Sequence, residues 1–164
     1  LHNKDKCILL QFVKWLNLPK ECIKHYNQFV RLDLSGDVWQ QNWAHLGLVR
    51  NKTYNPSILS VPNNYLKPFL IGLIDADGSI SFHKKSHSIS LINHPQNIDW
   101  FTDAIKSLGF NGNINSQIVN NKWKRIRIQR KQDVIDLANL LEINKYSFIL
   151  DRKWKELKSQ INIG

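Results

Sequence analysis

The chain has 164 residues, 42% of them hydrophobic, enough to bury one respectable core or two small ones and too few for several independent domains. Its formal charge is +10, from 23 Lys and Arg against 13 Asp and Glu, and its pI is about 9.7, which favours a polyanionic partner. No stretch approaches the roughly 20 uninterrupted apolar residues of a membrane span and none reads as a helix lying on lipid, so nucleic acid is the expected partner and a membrane is not.

In chain order, an apolar helical run (Ile8, Leu9, Phe12, Val13, Leu16) comes first. A strand around Ile23 follows, then another over residues 29–34, where Val30, Leu32 and Leu34 alternate with Arg31 and Asp33. Ser35 is placed to cap a helix carrying Val38, Trp39, Trp43 and Leu46, which stops at Gly47 and is followed by Asn51-Lys52. A further helix runs from an N-cap at Asn64 to Asp77, with Pro68 in its first turn. Gly72, mid-helix, costs about 1 kcal/mol against Ala and predicts close approach by another helix. Asp75 and Asp77 sit at the negative pole of the helix dipole and therefore demand a neutralising cation.

A hairpin comes next, with Ser79, Ser81, His83, Ser88 and Ser90 on one face, Ile80, Phe82, Ile89 and Leu91 on the other, and Lys84 and Lys85 at its tip. A helix from Asn97 (Ile98, Phe101, Ile105, Leu108) ends at Gly109. Two strands are expected after it, the second over residues 124–131 with Ile126 and Ile128 opposite Arg125, Arg127 and Gln129. The last two helices cover about residues 132–142, closing near Asn144-Lys145, and about residues 148–160.

The order helix, strand, strand, helix, Asn-Lys thus occurs twice, and Asp37-Val38 and Asp133-Val134 open the corresponding helices. Two copies of one supersecondary unit, related by a pseudo-two-fold axis, account for this. The expected division is 1–62, a first repeat lacking its leading helix and hairpin, and 63–164, a complete second repeat; Leu1 then aligns with Asn93. Cys7 and Cys22, each beside Ile, read as core thiols in a reducing compartment. The six histidines make no metal-ligand pattern. The chain opens on Leu1 and contains no Met, which predicts a piece of a longer or processed product. Abundant Asn, Ile and Lys suggest an AT-rich genome and an intracellular setting, a mitochondrion or plastid ahead of a phage or bacterial cytoplasm.

Residues 70–78 read LIGLIDADG, departing only at Ile71 from the nine-residue signature of the LAGLIDADG homing endonucleases and maturases, which the chain therefore resembles. The resemblance implies an α+β fold of saddle-shaped antiparallel sheets backed by helices, in which two motif helices pack through small residues. It implies Mg2+ held by the final acid, here Asp77, with the Gly78 carbonyl nearby and Asp75 as a further or structural carboxylate. It also implies a polar residue at the end of the second hairpin strand, placed at Asn93 where the family usually has Gln. Its helper lysine is matched by Lys145, with Lys52 as the first-repeat counterpart and Lys153 as fallback. Mg2+ in such a site polarises a phosphoryl oxygen and activates water.

Recognition is expected on the sheet face, through Ser79, Ser81, His83, Ser88, Ser90, Arg125, Arg127 and Gln129, with Lys84 and Lys85 near the backbone and Arg31 as a weaker first-repeat version. Two functions follow from the resemblance. One is a site-specific, Mg2+-dependent DNA endonuclease of intron or intein type, for which this chain supplies one acid and a second chain or N-terminal segment covers the motif helix. The other is a non-cutting binder of structured RNA, such as an intron maturase or a component of an organellar ribosome.

Overall fold

In the computed structural model, residues 1–34, 36, 41, 61–84 and 86–161 are described, and the chain divides into two units, Leu1–Leu46 and Gly47–Gly164. The sequence placed the boundary after residue 62; residues 47–60, which lie outside the described ones, are grouped with the second unit. The helix expected from Ser35 to Gly47 and the Asn51-Lys52 pair also lie outside them.

In the first unit, α1 (Lys6–Trp15) turns Ile8, Leu9 and Val13 inward at helical spacing, over the antiparallel pair β1 (Ile23–His25) and β2 (Val30–Leu32). Ile23 and Val30 complete this small core. Phe12, expected inside, is 38% exposed and meets Trp15 edge-on, because it falls at the margin of the buried stripe. Neither cysteine is a core residue: Cys7 is exposed and Cys22 half-buried.

The second unit is a four-stranded antiparallel sheet with helices on one face. Its elements are α2 (Asn63–Asp77), β3 (Gly78–His83), β4 (Ser86–Asn93), α3 (Pro95–Ser107), β5 (Asn115–Val119), β6 (Trp123–Ile128), α4 (Lys131–Leu140) and α5 (Asp151–Lys158), in sheet order β3-β4-β6-β5. An α+β fold is therefore what the chain adopts. Period-2 alternation sends Phe82, Ile89, Leu91, Ile126 and Ile128 under the helices, where they meet Leu70, Ile71 and Ile74 of α2 and the buried stripes of α3 and α4. Trp154 of α5 is fully buried in the same core.

Some boundaries differ from those read in the sequence. Helix α2 begins two residues earlier, with Pro62 at the cap, so Asn64 is inside the first turn and Pro68 is an interior proline. Strand β6 ends at Ile128, leaving Gln129 just beyond it. Helix α4 ends at Leu140, and Glu142 reverses the chain in the left-handed region at φ 54. Helix α5 starts three residues later than expected, at Asp151.

Two stretches of backbone, one in each unit, share local features. Residues 1–18 and 93–110 run in step: His2 caps the 3-10 turn Asn3–Asp5 that leads into α1, His94 caps α3 directly, and both helices end in the same hydrogen-bonded reversal. Leu18 N–H donates to the Val13 carbonyl at 2.9 Å, as Phe110 N–H does to Ile105 at 3.0 Å. The intervening left-handed residue is Asn17 (φ 52) in one and Gly109 (φ 103) in the other. Leu1, aligned with Asn93, pairs with the second strand of its unit through Val30, as Asn93 pairs with Lys124.

Gly72 does not show the close helix approach expected of it among the described residues: it is exposed, and a Cβ added there meets nothing within 4 Å. Gly72→Ala is therefore expected to raise the stability of the isolated chain by about 1 kcal/mol, the helix-propensity difference. Urea unfolding monitored by circular dichroism measures this, and a loss of stability would mean that the face is already covered.

Candidate functional site

Helix α2 delivers its twin acids to one corner of the second unit, and the two are used differently. The Asp75 carboxylate is half-buried; its Oδ2 accepts from the Leu150 backbone N–H at 2.9 Å and its Oδ1 from Trp154 Nε1 at 2.6 Å. Burial pushes its carboxyl above the ordinary value of 3.8, against the lowering pull of those two donors and of Lys153 and Arg152. By linkage, its contribution to stability is present below the ordinary carboxylate range and declines as pH rises through the folded value.

The cation that the helix end demands is Lys153. Its Nζ donates to the carbonyls of Ile74 (3.1 Å), Asp75 (2.6 Å) and Gly78 (2.7 Å), a cation placed at the negative end of the helix. The first choice, Lys145, is elsewhere engaged: it pairs with Glu142 at 2.9 Å, on the 3-10 turn Ile143–Lys145, and Glu142 also holds Lys67 at 3.4 Å. The fallback lysine is thus the one at the motif.

Asp77, two residues on, is exposed and projects differently. Its Oδ2 accepts from Asn93 Nδ2 at 2.8 Å, and Asn93 is itself held through Oδ1 by His94 N–H at 2.8 Å and Asn97 Nδ2 at 3.0 Å. The residue aligned with the family's amide does meet the motif acid. Gly78 is required by the tight exit from helix to strand, since a Cβ there would lie 2.5 Å from the Ile74 carbonyl oxygen, a backbone atom that cannot move aside.

These groups fall short of a Mg2+ site on their own. Mg2+ asks for near-octahedral oxygen coordination. Both Asp75 oxygens are committed to Leu150 and Trp154, and the Gly78 carbonyl faces an ammonium that repels a second cation. Asp75 thus serves the fold, through one internal donor on each oxygen. Among the described residues no group of three or more His, Cys, Asp or Glu is placed to hold a metal, which leaves Asp77 Oδ1 as the available acid oxygen.

The sheet's open face is polar in register. Ser79 lies opposite Ser90, which lies opposite Arg127, which lies opposite Asn115, one row crossing all four strands. A second row joins Ser81 to Ser88, and a third joins Ile92, Arg125 and Gln117. Arg127 is exposed and Arg125 half-buried. Asn115 and Gln117 were not singled out in the sequence, because β5 lacks a clear alternation; their partnership with Arg127 and Arg125 is the signal that finds them. Gln129, beyond the strand, still reaches Asn115 at 3.4 Å. His83 is drawn to Glu156 of α5 at 2.8 Å and so is not a free reader on this face. Lys84 is exposed at the hairpin tip, and Lys85 and Lys52 lie outside the described residues. Arg31, in the first unit, is exposed on β2.

Compared with models of known protein families and with curated proteins, the chain gives no match to either.

The two acids should separate in a stability assay. Asp75→Ala strands the buried Leu150 N–H and the Trp154 indole N–H, and is expected to cost about 3 kcal/mol. Asp77→Ala, at an exposed position, is expected to change stability by less than about 0.5 kcal/mol. Equal effects in chemical denaturation would contradict the division of roles.

Proposed function

We propose that this chain is a nucleic-acid-binding protein of the LAGLIDADG type, using the open face of the four-stranded sheet of its second unit. The carrying observation is the row of Ser79, Ser90, Arg127 and Asn115, with Arg125 and Gln117 beside it, on a chain of charge +10. Arg and the amides Asn and Gln are the side chains that make paired hydrogen bonds to base edges, and serine hydroxyls serve as donor or acceptor. Arginine also neutralises phosphate, which supplies most of the affinity and makes it salt-dependent. Within the second unit the described helices lie on the other face of the sheet, and Ser79, Arg127 and Asn115 are exposed.

Binding stands ahead of cleavage because the motif corner supplies one exposed carboxylate, on Asp77, already held at one oxygen by Asn93, and fills the neighbouring carbonyls with Lys153. A second reading, half of a Mg2+-dependent endonuclease, is favoured by one observation: Asp77 is exposed and oriented by Asn93. It needs a second acid from another chain or segment, for which the face of α2 around Gly72, open among the described residues, is the natural seat.

The double variant Arg125→Ala, Arg127→Ala is expected to weaken binding to duplex DNA or to a structured RNA by about 10- to 100-fold and to flatten the log-affinity against log-salt slope by about 2. Fluorescence anisotropy across a salt series reads both, and an affinity indifferent to these arginines would end the sheet-face proposal. In the same preparations with Mg2+, the chain is expected to bind without cutting. Cleavage that disappears in Asp77→Asn would transfer the conclusion to the second reading.

A further inference from the structure

The hairpin of the first unit carries a different chemistry from the polar rows of the second. In both units the second strand holds an arginine followed by an apolar inward residue, Arg31-Leu32 and Arg127-Ile128, and in both that arginine faces a polar residue across the ladder, Lys24 or Asn115. One step along the same face, the second unit has Gln117 opposite Arg125. The first unit has Tyr26 and Phe29 instead, joined by Tyr26 N–H donating to the Phe29 carbonyl at 2.9 Å.

These two rings are stacked on each other, with centroids 4.4 Å apart and planes 15° from parallel. The Arg31 guanidinium lies over the Tyr26 ring, 5.4 Å from its centroid. Both rings stay substantially exposed, Tyr26 at 41% and Phe29 at 46%. Arg31 is held flat by a two-point pair with Asp33, Nε to Oδ1 at 2.6 Å and a second nitrogen to Oδ2 at 2.9 Å. The loop between the strands is braced by Asn3, whose side chain donates to the carbonyl of Asn27 at 3.0 Å and whose N–H donates to that of Gln28 at 3.2 Å. A short hairpin thus displays a fixed column of guanidinium, phenol and phenyl, with the Lys24 cation beside it.

Solvent-facing aromatic surface is costly to display, and a row of stacked rings bordered by cations is how proteins hold unpaired bases: the rings and the guanidinium plane accept base faces while the cations take the phosphates. A duplex keeps its base faces buried and has no use for such a column. We propose that the β1–β2 hairpin binds a single-stranded nucleic-acid segment by stacking one or two bases on the Phe29–Tyr26–Arg31 column, with Lys24 taking backbone phosphate. This rests on the nucleic-acid reading of the chain and adds to it a preference, in the first unit, for unpaired bases. Single-stranded RNA and single-stranded DNA share the recognised chemistry.

The test uses the full chain and four probes of equal length: oligo(U), oligo(dT), an abasic strand and a duplex. The expected result is that oligo(U) and oligo(dT) bind about tenfold or more tightly than the abasic strand, and that Tyr26→Ala with Phe29→Ala removes this advantage while leaving duplex affinity unchanged. A preference for oligo(U) over oligo(dT), or the reverse, names the source. The exchange Tyr26→Phe with Phe29→Tyr keeps the rings and is expected to preserve base-dependent binding, which guards against a folding defect in the alanine variant. Equal affinity of the unaltered chain for abasic and base-bearing strands overturns the proposal, as does base-dependent binding that survives a folded alanine double variant. If duplex binding through Arg125 and Arg127 persists in that case, only the hairpin assignment fails; if no probe binds at low salt, the nucleic-acid reading itself fails.

Discussion

The corner where α2 ends depends on one ammonium group. Two carboxylates at the negative pole of a helix, next to carbonyls that have run out of intrahelical donors, make an arrangement that repels itself. Lys153 resolves it by donating to the carbonyls of Ile74, Asp75 and Gly78, and Trp154, its neighbour, donates to Asp75 from inside the core. One turn of α5 is thereby fastened to the end of α2 and to the start of β3. The fixed exit from α2 sets where β3 begins, and from β3 the antiparallel ladder sets the register of every polar row on the open face.

The same fastening explains why the two acids have separate fates. Asp75 spends both oxygens on internal donors and shares a desolvated corner with an indole, whereas Asp77 turns outward to Asn93. Asn93 is in turn anchored at the N-terminus of α3, so the exposed acid is oriented by a chain of amides and not by the core. Structure and chemistry are thus carried by neighbouring residues with little in common beyond their side-chain type.

Much of this was legible in the sequence. Alternation in 78–93 and 123–128 gave the sheet faces, and the helical spacing of α2, α3 and α4 gave their buried stripes. The need for a cation at the twin acids was also visible, but its supplier was not. Lys153 is 75 residues from Gly78 along the chain, and an exposed-looking lysine beside a tryptophan gives no local sign of its target. Lys145 was preferred on its Asn-Lys context, which reports a turn and its pairing to Glu142 instead. Likewise, the Tyr26–Phe29 column was hidden because the rings fall at the tip of a very short hairpin, outside any period long enough to read.

The tight exit at Gly78 bears on how such a signature ages. A side chain at that glycine collides with helix backbone, and Asp75 satisfies buried donors, so two of the motif's last four letters are retained by architecture. Asp77 has no such protection. Change at the outward acid would cost the fold little, so its presence reports on what that surface meets and not on the scaffold beneath it.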